Sequence, residues 1–390
     1  MDCDAKLYLR ALHSLQAGHD PFADGIASVL SYHDQPTAHL DARAPYPYAY
    51  SPFTLPLLRV IGRFPARIFI SGYWLFYGAG AIAPIWLAMG TTKGKERRYF
   101  AFLAPAAAFF PGLIQESTLM SGNIAYILYG SIFFTAYFGW RRGQWGWFYL
   151  ATLAASCFKI PMLVFLAIPL LSARKQWLPT GVTAASGVGL FAVQLWIWPS
   201  YFHNYLHVLN LIFLYFRDFG VAPAGLVSRA LLDQGLAFSA VGIVCFALFA
   251  LPMFCMLFYL SRQFLAGKLS LEQWIPVMLI GVMFLNPRVQ EYDLAPLTLL
   301  MALVVWRTLR SFTSPIWAVV SCVLFFAAAN ISAVLIAPID PGFFYLKCIQ
   351  GTVLAGVFTS GCWNLVRQTR EARQEEIALP EELLVLEAGD

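Results

Sequence analysis

The sequence contains apolar stretches that are long enough to cross a lipid bilayer. A spanning helix needs about 20 mainly apolar residues. Five stretches meet this length: Ala66–Met89, Trp177–Trp198, Ala237–Leu260, Pro315–Ala337 and Phe343–Val366. Only 12% of the 390 residues are charged, about half of the roughly 25% found in soluble domains. The sequence therefore predicts an all-α integral membrane protein.

Shorter apolar segments lie between these long ones. They are Tyr99–Ile114, Asn123–Trp140, Trp274–Leu285 and Leu294–Trp306. A further stretch, Trp145–Leu171, is interrupted by Lys159 and Pro161. This stretch is either one tilted helix or two short segments packed back to back.

The basic loops favour two short segments. Lys and Arg collect in cytoplasmic loops, so we place Lys93–Arg98 inside. Two crossings within 145–171 then put every later basic loop inside, whereas one crossing puts them all outside. These loops are Arg174–Lys175, Arg262–Lys268, Arg307–Arg310 and Arg367–Arg373. We therefore expect about eleven transmembrane segments.

The same assignment predicts three regions. Residues 1–65 form an outer-face catalytic loop with an amphipathic helix, 66–366 a multipass transmembrane domain, and 367–390 a charged cytosolic tail. Outer loops also include 199–235, 286–293 and 338–342. We expect a multipass protein of a bacterial plasma membrane whose C-terminus is cytoplasmic. No apolar segment precedes the outer N-terminal region, so we expect the first transmembrane helix to be missing; the alternative is translocation of a short tail after insertion.

Charge and cysteine content exclude some classes of protein. The net charge is +5, and its basic residues are spread over short loops, which suits membrane orientation better than binding to nucleic acid. Six of the seven cysteines lie in apolar stretches, and no CxxC pair occurs. They are interpreted as small buried side chains. His203 and His207, four residues apart without a supporting carboxylate, make a poor metal site.

The N-terminal residues predict an amphipathic helix. Its apolar stripe repeats at helical spacing, and we expect it to lie flat on the membrane surface. The stripe comprises Leu7, Tyr8, Ala11, Leu12 and Leu15, and the pattern breaks at Gly18 and the HDPF turn. Asp2 and Asp4 stand at its start, where carboxylates are favoured by the helix dipole. Their carboxylates either simply cap the helix or take part in chemistry.

Two further segments carry candidate binding residues. In YPYAYSP, the tyrosines Tyr46, Tyr48 and Tyr50 alternate with prolines and small residues, which predicts extended chain with the rings on one face. They form either an aromatic belt at the lipid headgroups or the wall of a sugar pocket. Lys159 is a charge at membrane depth; it either extends to the surface as an anchor or binds a lipid phosphate.

The segment NPRVQEYDLAP predicts a tight outer turn. Arg288 in this turn is suited to clamping a phosphate with two N–H groups. The alternative is a weak loop ion pair between Arg288 and Glu291 or Asp293. Tyr292 stands beside Asp293 in the same turn.

Taken in order, several motifs resemble glycosyltransferase family 87, the multipass polyprenol-phosphate-dependent enzymes of the GT-C class. The motifs are DAKLYLRALHSLQAGHDPFADG, YAYSPFTLPLL, SGNIAYILYG, KIPMLVFLAIPLL and NPRVQEYDLAPL. They run from about Asp4 to about Trp306. Two departures are Phe22, where the family has tyrosine, and Asn123, where glutamine is common.

The resemblance implies a GT-C-type bundle and an inverting transfer of a hexose, mannose by family, from a polyprenyl-phosphate donor to a lipid or glycan acceptor. It gives Asp4 the role of general base, with Asp20 and Asp2 as alternatives, and no resident cofactor. No DxD pair occurs in the outer loops beyond Asp2–Asp4, which favours metal independence. The substrate-binding residues it implies are Asp20, Tyr46, Tyr48, Tyr50, Asn123, Lys159, Arg288, Tyr292 and Asp293. A transporter or lipid flippase, and a non-catalytic membrane scaffold, are the other hypotheses.

Overall fold

The computed structural model describes residues 4–33, 46–108, 122–217, 219–236, 239–336, 339 and 344–378, and within these ranges every regular element is helical. Two of the elements are 3₁₀ helices, Ile160–Leu166 and Ala295–Leu297. The α-helices are α1 (Asp4–Gln16), α2 (Pro21–His33), α3 (Thr54–Ile61), α4 (Ala66–Gly90), α5 (Lys95–Ala108), α6 (Ala125–Arg142), α7 (Gly146–Phe158), α8 (Ala167–Ser172), α9 (Trp177–Ile197), α10 (Pro199–Phe216), α11 (Pro223–Asp233), α12 (Ser239–Leu265), α13 (Leu271–Phe284), α14 (Glu291–Leu294), α15 (Thr298–Arg310), α16 (Pro315–Ile336) and α17 (Phe344–Ala378).

Five helical stretches are long and apolar enough to cross a membrane: Ala66–Gly90, Trp177–Ile197, Ala240–Leu265, Tyr292–Arg310 and Pro315–Ser332. Four of them match predicted long segments, and the fifth contains the predicted short segment 294–306. The remaining predicted segments also overlap helices, but these are shorter or, in the case of the 18-residue α6 and the 35-residue α17, more polar. The predicted helical membrane architecture is therefore confirmed at the level of five candidate spans.

The two central helices are α13 and α15. Every side chain from Trp274 to Phe284 is buried, as are most of those in α15. The surrounding helices expose large apolar side chains instead, such as Leu75 on α4 and Leu248 on α12. Soluble proteins rarely expose extensive apolar surface. This arrangement, with a buried centre inside a ring of apolar outer faces, is the one expected in lipid.

The N-terminal helix packs on the protein. All five residues of its predicted stripe are buried, which confirms the amphipathic pattern, but α1 lies against α2, α3 and α4. Leu12 contacts the chain at Gly62 so closely that a Cβ there would lie 2.4 Å from its Cδ1. The expectation that this helix lies flat on the membrane surface is therefore wrong, because its stripe is already covered by protein.

The chain reverses direction at Lys159. Helix α7 ends there in extended backbone, with φ −139° and ψ 106°, and the 3₁₀ helix that follows has Pro161 in its first turn. The far ends of the two arms meet again, since the Tyr149 hydroxyl donates to Gln176 Oε1 at 3.0 Å. The stretch 145–171 therefore forms two short segments packed back to back, as the basic loops predicted.

Contacts gather the connecting segments at two ends of the bundle. At the first, which we call the Lys159 end, residues 18–33 and 46–64 meet the 198–216 and 286–293 regions through bonds such as Asn204–Asp20. At the second, the Glu272 end, the 91–97, 141–142 and 265–273 regions meet. The two groups consist of segments that the sequence assigned to opposite sides of the membrane; which end faces outward stays a prediction. Helix α17 continues without a break through the predicted boundary at 366, and residues 379–390 of the predicted tail lie outside the described residues.

Candidate functional site

The ammonium of Lys159 lies between two tyrosine rings. Its Nζ is 4.4 Å from the ring centre of Tyr292 and 5.8 Å from that of Tyr50. The Asp293 carboxylate lies within electrostatic range of the same ammonium. Helix α7 ends at this lysine because the approaching Pro161 disfavours continued helix. Four residues chosen from three separate sequence motifs thus meet in one place, which we call the Lys159 cluster: Tyr50, Lys159, Tyr292 and Asp293.

Asp293 has a structural task as well. One carboxylate oxygen, Oδ2, accepts the backbone N–H of Gln290 at 2.9 Å and so caps the short helix α14. The residue is only 4% exposed. Its other oxygen, Oδ1, has no hydrogen bond of normal geometry to a described residue, and the Tyr129 hydroxyl lies beside it. A buried carboxylate flanked by Lys159 forms a local dipole rather than an isolated charge.

Arg288 lies beside the Lys159 cluster. Its guanidinium carbon is 5.3 Å from the ring centre of Phe213, and its backbone N–H bonds Asn286 Oδ1 at 3.1 Å. Its charge acts on both Asp293 and Tyr205. Burial raises the pKa of Tyr205 to about 12, against the opposing effect of Arg288. The Glu291 side chain lies outside the described residues, so the predicted pairing with Glu291 stays a prediction.

The aromatic residues around the cluster form a continuous layer. Tyr8 stacks on Tyr50 with ring centres 4.9 Å apart, and Tyr48 lies 5.5 Å from Tyr50. Tyr48 and Tyr50 are 3% and 5% exposed, so they lie inside the protein rather than in a belt at the headgroups. The Tyr48 hydroxyl and Thr54 Oγ1 are 2.5 Å apart, and burial raises the pKa of Tyr48 well above its usual value.

Tyr46 does not share that layer. It packs edge-on against Phe216 at 5.0 Å and is 36% exposed. The segment 46–49 has no regular secondary structure, as the proline pattern predicted. Of the three tyrosines, then, Tyr48 and Tyr50 lie in the interior, and Tyr46 packs separately against α10.

The two leading carboxylates have different positions. Asp4 begins α1, one helical turn before Tyr8, and its side chain and Asp2 lie outside the described residues. Asp20 is held on both oxygens: Oδ1 accepts the Phe22 N–H and Oδ2 accepts Asn204 Nδ2, each at 2.8 Å. Asp20 therefore fastens the start of α2 to α10.

Asn123 caps a helix near the same end. Its Oδ1 accepts the Ala125 N–H at 2.9 Å at the start of α6, and the preceding Gly122 carbonyl accepts the Tyr73 hydroxyl at 2.5 Å. Gly122 has a φ of 63°, a conformation that favours glycine. This turn connects α6 to α4 close to Tyr8, whose ring is 6.0 Å from that of Tyr73.

An apolar groove runs along α4 and ends next to the cluster, at Tyr8 and Phe158. Its upper part is a cavity of about 320 Å³ between α3, α4 and α6, and Tyr8, Tyr73 and Phe158 line it. A second cavity of about 450 Å³ shares Phe76 and Ile127 with the first and continues down to Trp86. At about 1.5 Å per helical residue, the distance along α4 from Tyr73 to Trp86 is about 20 Å. We call this the α4 groove.

Sequence analysis missed three residues of this site. Tyr8 is part of the apolar stripe, yet it also stacks on Tyr50; its position four residues after Asp4 was the available signal, because such residues share a helix face. Tyr129 and Phe158 lie within apolar segments and carry no signal of their own. Only packing brings Tyr129 to Asp293 and Phe158 into the α4 groove.

The part of the chain that the structure describes contains no cluster of three or more His, Cys, Asp or Glu residues suited to a metal ion. Comparison with known proteins adds no relative. No family model matches the chain, and no curated protein or solved structure matches it. The resemblance to a glycosyltransferase family therefore depends on the quoted motifs.

Proposed function

We propose that this chain is a membrane glycosyltransferase that moves a hexose, mannose by family resemblance, from a polyprenyl-phosphate donor to a lipid or glycan acceptor. One observation supports this proposal above the others: Lys159, a cation within an apolar stretch of the sequence, stands directly after Phe158, which lines the upper end of the α4 groove. A lipid phosphate needs a cation for its head and an apolar channel for its chain. The two adjoin here.

The donor's chain would occupy the α4 groove. The wall of its upper cavity is entirely apolar in character, with Leu58, Phe69 and Ile127 among its residues. Burial of a hydrocarbon chain against protein excludes little water in a bilayer, so close packing and the fixed position of the head determine the site. The length of about 20 Å accommodates several isoprene units.

The phosphate would lie between Lys159 and Arg288. In the transfer step the acceptor oxygen bonds to the anomeric carbon as the bond from that carbon to the phosphate oxygen breaks. The electron pair leaves with the phosphate, and the acceptor proton passes to a carboxylate. Cations that neutralise the departing phosphate stabilise this transition state. By resemblance the base is Asp4, and the transfer inverts the anomeric carbon.

The first experiment separates transfer from transport. Membranes containing the protein are incubated with polyprenyl-phosphate mannose labelled in the sugar, and the labelled products are identified. We expect the label to appear in a new lipid or glycan, and Asp4→Asn to abolish this while donor binding persists. Loss of about 10²-fold or more is expected for a missing base. A label that only crosses the bilayer, unaffected by Asp4→Asn, would establish a transporter.

The second experiment tests the α4 groove. Gly72 lines it, and a Cβ at this position meets no atom within 4 Å, so Gly72→Leu should fill the groove without disturbing the fold. Gly78 on the same helix is equally open and is absent from the groove lining, which makes Gly78→Leu the matched control. We expect Gly72→Leu alone to raise the KM for the donor. Equal behaviour of the two variants would remove the groove from the proposal.

The proposal also fixes orientation: the Lys159 end faces outward and the Glu272 end faces the cytoplasm. Ser28 and Lys268 lie at the two ends. Single cysteines introduced at these positions into a protein without other accessible thiols would be labelled by an impermeant reagent in intact cells. We expect label at position 28 only. Label at position 268 alone would show that the protein has the opposite orientation.

A further inference from the structure

A polar cavity of about 290 Å³ lies at the Lys159 end, between α1, α2 and the segment 46–48. Its wall differs from the apolar wall of the α4 groove, because it carries a guanidinium, an imidazole, a carboxylate and two hydroxyls. These groups belong to Arg10, His13, Ser14, Asp24 and Ser28. Together they both donate and accept hydrogen bonds, which suits a ligand with many hydroxyl groups. We call this cavity the α1 cleft.

Two tyrosine rings also line the α1 cleft. Tyr48 is buried, and its hydroxyl lies 2.5 Å from Thr54 Oγ1, which holds the ring in place. Tyr46 is 36% exposed and packs against Phe216 on α10. Aromatic rings offer a rigid apolar surface beside the polar groups. A sugar ring matches this combination, because it has C–H groups on its faces and hydroxyls around its edge.

Helix α1 separates the α1 cleft from the α4 groove. Its residues that line the cleft follow helical spacing: Leu7, Arg10, Ala11 and Ser14. Tyr8, which follows Leu7 in the chain, instead lines the α4 groove and stacks on Tyr50. Asp4 stands three residues before Leu7 and four before Tyr8, so it neighbours both on the helix surface. Position 4 thus lies where the two lined faces of the helix meet.

We infer that the α1 cleft binds the acceptor, and that the acceptor is a saccharide. This inference rests on the proposed function, since it assigns the second substrate of the same reaction. With the donor on the Tyr8 side of α1 and the acceptor on the Leu7 side, the attacking hydroxyl and the leaving phosphate approach the anomeric carbon from opposite sides, as inversion requires. The volume is close to the lower limit of about 300 Å³ for small-molecule sites, which accommodates about one or two sugar rings.

The test measures transfer from polyprenyl-phosphate mannose, labelled in the sugar, to two acceptors with the same alkyl chain. They are octyl mannobioside and octyl glycerol ether, and the protein is kept in a detergent without a sugar headgroup. We expect the mannobioside to be labelled about tenfold faster or more, since a single hydrogen bond to a charged group contributes about this factor.

Two variants locate the acceptor. Ser28→Phe fills the cleft and Arg10→Met removes its guanidinium. Each should raise the KM for octyl mannobioside about tenfold and leave the KM for the donor unchanged. The matched controls are Ser31→Phe and Arg59→Met, at exposed positions of α2 and α3 outside the lining of the cleft, and both should behave as the parent.

Failure of the site and failure of the reaction give different results. Equal labelling of the two acceptors, or an unchanged KM in Ser28→Phe, would overturn the saccharide site while the transfer reaction stands. If neither acceptor is labelled, binding of octyl mannobioside is measured by saturation-transfer NMR. Binding that Ser28→Phe abolishes and Ser31→Phe retains would support the saccharide site and remove the transfer. Absent binding, or binding that Ser28→Phe leaves unchanged, would overturn the site.

Discussion

The Glu272 end and the Lys159 end hold their cations in different ways. At the Glu272 end, Arg307 donates Nε and Nη2 to the two oxygens of Glu96 at 2.7 and 3.0 Å, and Nη1 to the Glu272 carbonyl at 2.7 Å. Lys93 lies 2.9 Å from the Glu272 carboxylate. These charges are matched by oxygens from α5 and α13, which joins helices that are distant in sequence.

At the Lys159 end, ring faces lie beside the cations, and the charges of Lys159 and Arg288 both act on the Asp293 carboxylate. Lys159 lies over Tyr292 and Tyr50, and Arg288 over Phe213. A ring face attracts a cation by about 0.5–2 kcal/mol without the full neutralisation that a carboxylate gives. Under the proposed function, the donor phosphate would bind at the Lys159 end, where the cations lie against aromatic rings. The Glu272 end is thus an ion-pair network that joins helices, whereas the Lys159 end is a cluster of cations and aromatic rings at which we propose binding.

The largest expected effect is loss of stability at the Glu272 end. Arg307→Met leaves Glu96 and two backbone oxygens without their donor in a poorly exposed site. We expect the free energy of unfolding in detergent micelles to fall by about 3 kcal/mol. Arg310→Met, one turn further along and exposed, should cost less than about 1 kcal/mol. Equal losses would show that the Arg307 contacts do not hold the helices together.

The next effect should appear in function rather than stability. Lys159→Met removes the cation beside the proposed phosphate, and we expect the transfer rate to fall about 100-fold, equivalent to about 2.7 kcal/mol. Its loss of stability should be smaller than that of Arg307→Met. In the Lys159→Met variant the Asp293 carboxylate still accepts the Gln290 N–H and still interacts with the charge of Arg288. The measurement is the initial rate of label transfer, alongside unfolding in the same micelles.

Lys268→Met provides the control for that change, since Lys268 is exposed at the other end. It should leave both the rate and the stability unaltered. If Lys159→Met instead destabilises the protein as strongly as Arg307→Met while the rate of the folded fraction is normal, the two ends do not differ as described. Lys159 would then be a structural cation.

A smaller effect is expected where α2 is attached. Asp20→Ala removes the cap of α2 and its bond to Asn204, which should cost about 1–2 kcal/mol. Hydrogen exchange of the α2 amides should accelerate while that of α13 stays slow. Asp24→Ala is the control, because the side-chain contact that the described residues show for Asp24 is an exposed one, with His19 at 3.7 Å. Uniform acceleration across both helices would show that α2 does not open as a separate unit.

Much of the Lys159 end could be predicted from sequence, because each membrane crossing moves the chain to the other side, so the number of crossings assigns every loop to one side. Once Lys159 interrupts 145–171, each later loop falls on a definite side, and Tyr50, Lys159 and Tyr292 are assigned to one side before any contact is known. In the structure the Lys159 ammonium contacts the rings of both Tyr50 and Tyr292. The break itself is local, since a proline ends regular helix near its own position.

The ion-pair network at the Glu272 end was not predictable in this way. Arg307 and Glu96 are 211 residues apart, and their pairing depends on how α15 packs against α5. The position of α1 failed for a related reason: an amphipathic stripe specifies a helix with one apolar face, but lipid and protein cover that face equally well. The close contact of Leu12 with Gly62 shows that protein covers the stripe, but this contact can be recognised only in the folded structure.

The smallest expected effect is a dependence of stability on pH at the Glu272 end. Burial of Glu272 opposes ionisation, but the hydrogen bond and charge of Lys93, with the charge of Arg141, outweigh it and lower the pKa of this carboxyl below its usual 4.5. The stability it contributes is therefore present above about pH 4.5 and is lost as the pH falls through the lower folded-state pKa. Since Lys93 is 72% exposed, we expect only about 0.2–1 kcal/mol. Glu272→Gln should be less stable than the parent at pH 7 and equal to it in acid, with the gap narrowing in high salt. A gap that stays constant across this range would mean that packing, and not charge, makes Glu272 useful, and would weaken the contrast between the two ends.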